Sequence, residues 1–197
     1  MKKLISVLAA VLFLAACDGG NAPYVSQEGA TVPFDEVERF SELLESAYAL
    51  EILSEGVYAD VLDIATGITY RVRRAIGGYN TLADVETVTQ EDTDKLLETT
   101  GGGWCIRRRA IIVTVEGRQI AASIAPFQHS GSEEHPFGEI IDNRSGGTGT
   151  GINLDSIRDN GMTGVVDIFF FNSLIPGINR VDERHQEMVL MAYDFTG

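Results

Sequence analysis

The stretch Val165 to Phe171 is a nearly unbroken apolar run whose only charge is Asp167. A run of this kind fits a strand buried on both faces, so the sheet that carries it must be covered on both sides. A charge inside such a strand has two acceptable fates, pairing or a place at an edge. The rest of the chain therefore has to supply both a sheet and its cover.

The sheet is legible as two hairpins. Val57 to Ile64 and Ile68 to Arg74 flank the turn Ala65-Thr66-Gly67, with Tyr70 and Val72 alternating against Thr69, Arg71 and Arg73. Trp104 to Val115 and Arg118 to Ile124 form a second hairpin about Glu116-Gly117, after a short helix over Gln90 to Thr99 and the turn Gly101-Gly102-Gly103. Helices at either end provide cover. From Phe34 to Leu53, Val37, Phe40, Leu43, Leu44 and Tyr48 recur at spacings of three and four against Glu36, Glu38, Glu42 and Glu45, which predicts an amphipathic helix over 34–56 that Gly56 ends. Val181 to Tyr193 predicts a closing helix with Met188, Leu190, Met191 and Ala192 inward. Between the second hairpin and the apolar strand, Pro126 to Gly164 reads as one long loop of the kind that is usually functional or mobile. The expected fold is a single α+β domain, a central and mostly antiparallel sheet with an N-terminal and a C-terminal helix.

Residues 1–17 stand outside that domain. Lys2 and Lys3 precede the apolar stretch Leu4 to Leu14, and Leu14-Ala15-Ala16-Cys17 has the small-residue pattern of a cleavage site. The stretch is shorter than the ~20 apolar residues that span a bilayer. With cysteine at the new N-terminus it resembles a bacterial lipoprotein signal, which implies acylation of Cys17 and a membrane-anchored, extracytoplasmic protein. Asp18 resembles the inner-membrane retention signal of enterobacterial lipoproteins, a rule that depends on the host. An ordinary secretory signal with a chance cysteine is the alternative. Residues 18–33, rich in Gly, Asn, Pro, Ser and Gln, read as a tether, and 57–197 as the globular α+β domain.

Charge sharpens this picture. The chain has 15 basic and 29 acidic residues, a net charge of −14; losing Lys2 and Lys3 leaves 13 basic residues and a net of −16. That balance argues against a nucleic-acid partner, which needs a net basic face, and makes acyl chains rather than headgroup attraction the means of membrane attachment. Acylation of Cys17 leaves Cys105 as the remaining thiol, with no partner for an intramolecular disulfide. Flanked by Trp104 and Ile106, Cys105 reads as a packed side chain rather than a nucleophile.

Two sets of side chains are candidates for chemistry. Arg71 with Arg73, and Arg107 with Arg109, share strand faces and would form an anion-binding surface if the hairpins were neighbours; ion pairing with the many carboxylates is the plainer alternative. Asp182 and His185, three apart on a helix, place a carboxylate beside an imidazole, an arrangement equally met in capping contacts. His129 and His135 lie in the long loop. No HExxH, CxxC, P-loop or GxSxG pattern occurs.

From Val57 onward the order of motifs resembles a family of extracytoplasmic domains of Gram-positive, often spore-forming bacteria, frequently joined to peptidoglycan-binding modules. Its pattern runs from V-x-D-x-x-T-G-x-x-F-x-V-x-R through H-A-D-V-x-P-x-T, W-S-W-x-R-R-A-I-x-V and A-A-S-M-x-G-x-P-H-G to N-x-F-x-G-H-F-C-I-H-F and D-x-x-H-Q. Here the matches are Val61 to Val72, Leu82 to Thr89, Trp104 to Val113, Ala121-Ala122-Ser123 with His129 following, Asn160 to Phe170, and Asp182 to Gln186. The family's G-H-x-C-I-H core is similar to the nucleophile motif of L,D-transpeptidases. This chain departs from it, with Val165, Asp167 and Phe169 where the family has His, Cys and His, and Leu82 where it has His. Carried over position by position, Asp84, His129, Asp182 and His185 remain.

The expectation is a lipid-anchored envelope protein whose domain binds or scaffolds, toward peptidoglycan or an envelope protein, with Arg71, Arg73, Arg107 and Arg109 as its ligand-binding residues and no cofactor. The alternative is a cell-wall hydrolase or transpeptidase-like enzyme using Asp84, His129, Asp182 and His185, with zinc on His129 and His185.

Overall fold

Six segments, each with at least one apolar face, close into an antiparallel barrel in the structure, a computed structural model that describes residues 40–196. In chain order the elements are α1 (Ser46–Ile52), β1 (Tyr58–Asp63), β2 (Thr69–Arg74), β3 (Ala83–Thr87), α2 (Gln90–Glu98), β4 (Arg109–Val115), β5 (Arg118–Ser130), the two-residue strands β6 (Ile140–Ile141) and β7 (Gly151–Ile152), β8 (Gly164–Phe169) and α3 (Glu183–Tyr193). Neighbours round the barrel are β1, β2, β3, β8, β5 and β4, with β4 returning to β1. The expected export signal, the expected tether and residues 34–39 of the expected first helix lie outside the described residues. Among the described residues no helix is long and apolar enough to cross a membrane.

Period-two side-chain alternation fills the barrel. Val61, Tyr70, Val72, Ala83, Val85, Ile111, Val113, Ile120, Ala122, Ile124, Val166, Ile168 and Phe170 form one buried cluster, which α1 joins through Ala49, Leu50 and Leu53 and α2 through Leu96. The alternate residues of β4 and β5 are covered as well. Ala110, Ile112 and Ala121 pack beneath Val189 and Ala192 of α3, so this wall is apolar on both sides. Thr89 caps α2 in a reciprocal box with Asp92, and Arg74 reaches the C-terminal carbonyls of α1 at Leu50 and Leu53, at 2.9 and 2.7 Å.

The first hairpin, the α2 helix, the apolar strand and the closing helix stand where the sequence places them, although the second hairpin starts at Arg109 rather than Trp104 and α3 buries Val189 while Leu190, expected inward, faces solvent. Three further features differ. The first helix is short: residues 40–45 are not helical, because the backbone of Glu42 is captured by β5 (Glu42 N to Gln119 O, 2.7 Å; Ala121 N to Glu42 O, 2.9 Å) and Ser46 N bonds Phe171 O at 2.8 Å. Those bonds to strands distant in sequence outcompete an isolated helical turn. The segment Ala83 to Thr87, not assigned a strand from its sequence, pairs with both β2 and β8 and so closes the barrel. The expected loop from Pro126 begins as strand, since β5 runs on to Ser130 past an irregularity between Ala125 and His129.

One buried ion pair ties β1 to β4. Asp63 and Arg109 continue the inward-facing sets of their strands; the guanidinium grips both carboxylate oxygens through Nε and Nη2, and Asp63 Oδ1 also accepts from Thr66 N at 3.0 Å and Thr66 Oγ1 at 2.8 Å. Asp63 is fully buried. Asp63→Asn leaves the guanidinium charge buried without its counter-ion and is expected to cost ~3 kcal/mol in urea unfolding; a loss below ~1 kcal/mol would show that water screens the pair.

Candidate metal centre

Asp84, His129 and Asp167 come from three adjacent strands and meet on the outer wall of the barrel. In β3, Ala83 and Val85 face the core, which turns Asp84 outward; in β8, Val166 and Ile168 face the core, which turns Asp167 outward. The two are direct partners in the β3–β8 ladder. His129 reaches the same place through the irregularity in β5. Ala125 pairs with Asp167 and His129 with Val165, so β5 spends two more residues than β8 between these points and keeps its facing.

The three side chains each offer a ligand atom, and these atoms lie within 4.8 Å of one another. His129 Nε2 is 2.9 Å from Asp167 Oδ1. Asp84 is 1% exposed; its Oδ2 accepts from Tyr79 N at 2.6 Å, and its Oδ1 has no hydrogen-bond partner. Backbone approaches closely on two sides. A Cβ on Gly78 would sit 2.3 Å from Asp84 Oδ2, and one on Gly146, whose φ is +67, would sit 2.6 Å from His129 Cβ.

Like charges directly across a strand pair repel, and the electrostatics register it. Burial, then the neighbouring Asp167 charge, push Asp84 up to about 7, with the Tyr79 amide acting in the opposite sense. Burial alone would lower His129, yet the hydrogen bond and charge of Asp167, with the charge of Asp84, hold it above its usual value. Both shifts favour protonation, so protons offset the two carboxylate charges and a cation entering the cluster would have to displace them.

The other sequence candidates lie elsewhere. His185 is on the same outer wall but outside the cluster: its Nδ1 is 2.9 Å from Ser123 Oγ, and its ring stacks on Phe169 with centroids 3.7 Å apart. Asp182 caps α3 by accepting from Arg184 N and His185 N and pairs with Arg108 at 2.7 Å. The structure thus gives the Asp182/His185 spacing a capping role and does not bring His185 to His129 as a second ligand. His135 lies 3.7 Å from Glu139 on the surface. Arg71 and Arg73 stand on the outer face of β2, near Asp60 at 3.8 Å and Glu86 at 3.4 Å, whereas Arg109 turns inward to Asp63. These three therefore do not share a face, and Arg107 precedes β4 on the exposed surface. Cys105 is buried.

Asp167 is the member that sequence reasoning left out of the site. Its signal was present, as the one charge in an apolar strand, and the structure gives it the paired fate. Val165, Asp167 and Phe169, three of the four departures from the resembling family, alternate along the outer face of β8, where Val165 meets Ala75 and Leu154 and Phe169 meets His185.

Burial pulls the His185 imidazole down to about 4, and the nearby Arg108 charge adds to that, against the pull of Asp182. A group lowered in the folded state adds stability that is complete above its unfolded value of ~6.5 and is lost as pH falls toward 4. Between those limits the unfolding free energy of the wild type should lose ~3 kcal/mol more than that of His185→Gln. Parallel profiles for the two proteins would refute a buried neutral imidazole. Compared with family models, curated proteins and solved structures, the chain matches none.

Proposed function

We propose that this chain is a membrane-tethered, extracytoplasmic domain that binds a first-row divalent cation, Zn2+ or Mn2+, through Asp84, His129 and Asp167. The observation that carries the reading is the convergence of three donor atoms within 4.8 Å around a buried carboxylate oxygen that lacks a donor. One imidazole with two carboxylates is a mixed N/O set, which suits zinc and manganese better than a purely hard or purely soft ion. A small side-chain adjustment closes a set of that spread round a cation with bonds of ~2.1 Å. The tether rests on the sequence at Cys17, and the net charge of the processed chain is consistent with attachment through acyl chains.

A hydrolytic version of the same reading has its own support. The side chains of His129 and Asp167 remain 12% and 27% exposed, so the positions on the cation that three protein ligands do not fill are open to water. A cation held by Asp84, His129 and Asp167 would lower the pKa of a bound water toward neutrality and so supply a nucleophile, and cell-wall peptides are the substrates that the family resemblance implies.

Thermal unfolding with Zn2+ or Mn2+ tests the binding. Cation at a hundredfold excess over its dissociation constant should stabilise the wild type by ~2.7 kcal/mol. Asp84→Asn, which removes the repulsion across the ladder, should be at least as stable as the wild type without cation, Asp167→Asn should lose stability with its ion pair to His129, and neither should gain from the cation. Absence of any cation-dependent shift in the wild type would overturn the reading. Incubation of the loaded protein with peptidoglycan sacculi separates the two versions, since peptide release by the wild type but not by Asp84→Asn marks the hydrolase.

A further inference from the structure

The geometry points to Ser130 as the positioning residue that makes His129 a ligand through Nε2, an assignment that rests on the cation-binding reading. A directed chain of hydrogen bonds runs behind the ring. His129 Nδ1 lies 2.9 Å from Ser130 Oγ, Ser130 Oγ lies 3.3 Å from Thr148 Oγ1, and Thr148 Oγ1 donates to the Ser145 carbonyl at 3.1 Å. A carbonyl only accepts, so the Thr148 proton is committed to it. The Thr148 oxygen then accepts the Ser130 proton, and the Ser130 oxygen is left to accept from Nδ1–H. Direction passes from the backbone to the imidazole. The opposite nitrogen, Nε2, faces Asp84 and Asp167 and is the one left to ligate the cation.

The local fold holds this chain in place. Ser130 is 5% exposed, so little water competes for its hydroxyl. Its φ is +60, in the left-handed region, where a side chain costs ~1 kcal/mol relative to glycine. The segment that carries Thr148 is fastened to the end of β5 from both directions, by Ser145 N to Gly131 O at 2.9 Å and Gly131 N to Ser145 Oγ at 3.0 Å. Ser145 Oγ in turn donates to Thr163 O at 2.5 Å. A serine kept in a strained backbone conformation beside a ligand is explained by its hydroxyl, since glycine would satisfy the backbone at lower cost. Partners of this kind, bonded to the second nitrogen of a ligating histidine, fix its tautomer and orientation.

Titration calorimetry with Zn2+ on the full chain, comparing wild type, Ser130→Ala and Ser130→Gly, tests the assignment. Both variants should bind about 10- to 100-fold more weakly. Ser130→Gly relieves the left-handed φ and keeps the fold, so a purely structural role for Ser130 predicts undiminished binding by that variant. Nitrogen-resolved imidazole spectra of the zinc-loaded wild type should show the metal on Nε2 and the proton on Nδ1. Wild-type affinity in Ser130→Gly, or zinc on Nδ1, overturns the role of Ser130 alone. Failure of the wild type to bind Zn2+ overturns the cation reading and this assignment with it.

Discussion

Closure of the barrel through β8 is the constraint on which the other features depend. β8 lies between β3 and β5, and both ladders are complete enough to leave it no edge. Its inner residues, Val166 and Ile168, fill the barrel core, while its outer residues are covered by α3 at one end and by the segment around Leu154 at the other. A charge in such a strand cannot escape to an edge, so Asp167 has to be paired. The strands on either side supply what it meets, Asp84 from one and His129 from the other.

Two buried acidic groups in this fold illustrate opposite solutions to the same cost. Asp63 receives a two-pronged guanidinium and both donors of Thr66, and its charge is fully answered within the protein. Asp84 receives one amide on one oxygen and none on the other, and it faces a second carboxylate. Its environment raises its proton affinity instead of neutralising it. A structure that satisfies one buried carboxylate completely and leaves another short of a donor beside an imidazole has an unanswered polar group there, and this supports the proposed cation site.

Much of the frame was readable because it depends on local pattern. Alternation fixed β1, β2, β4 and the start of β5, and turn chemistry at Thr66-Gly67 and Glu116-Gly117 fixed the hairpins; the Thr89–Asp92 cap that starts α2 is seen in the structure. The misreadings share one cause. Glu42 to Ser46 carry a helical pattern, but their backbone bonds go to β5 and to Phe171, partners that lie far along the chain. Ala83 to Thr87 lack clean alternation because both faces are buried, and that segment became a strand only by having two neighbours.

The sequence by itself determined that β8 is covered on both sides, that its lone Asp167 must be paired or lie at an edge, and that His129 is a candidate for chemistry, while Asp84 entered only through the family resemblance. The first three conclusions follow from hydrophobicity and residue type, which are properties of the chain. Tertiary structure alone decided which groups meet. The β3–β8 register sets Asp84 against Asp167, the irregular segment of β5 swings His129 onto them, and α3 takes His185 away to stack on Phe169. Register and closure are relations between strands distant in sequence, and no local pattern encodes the distance between their side chains.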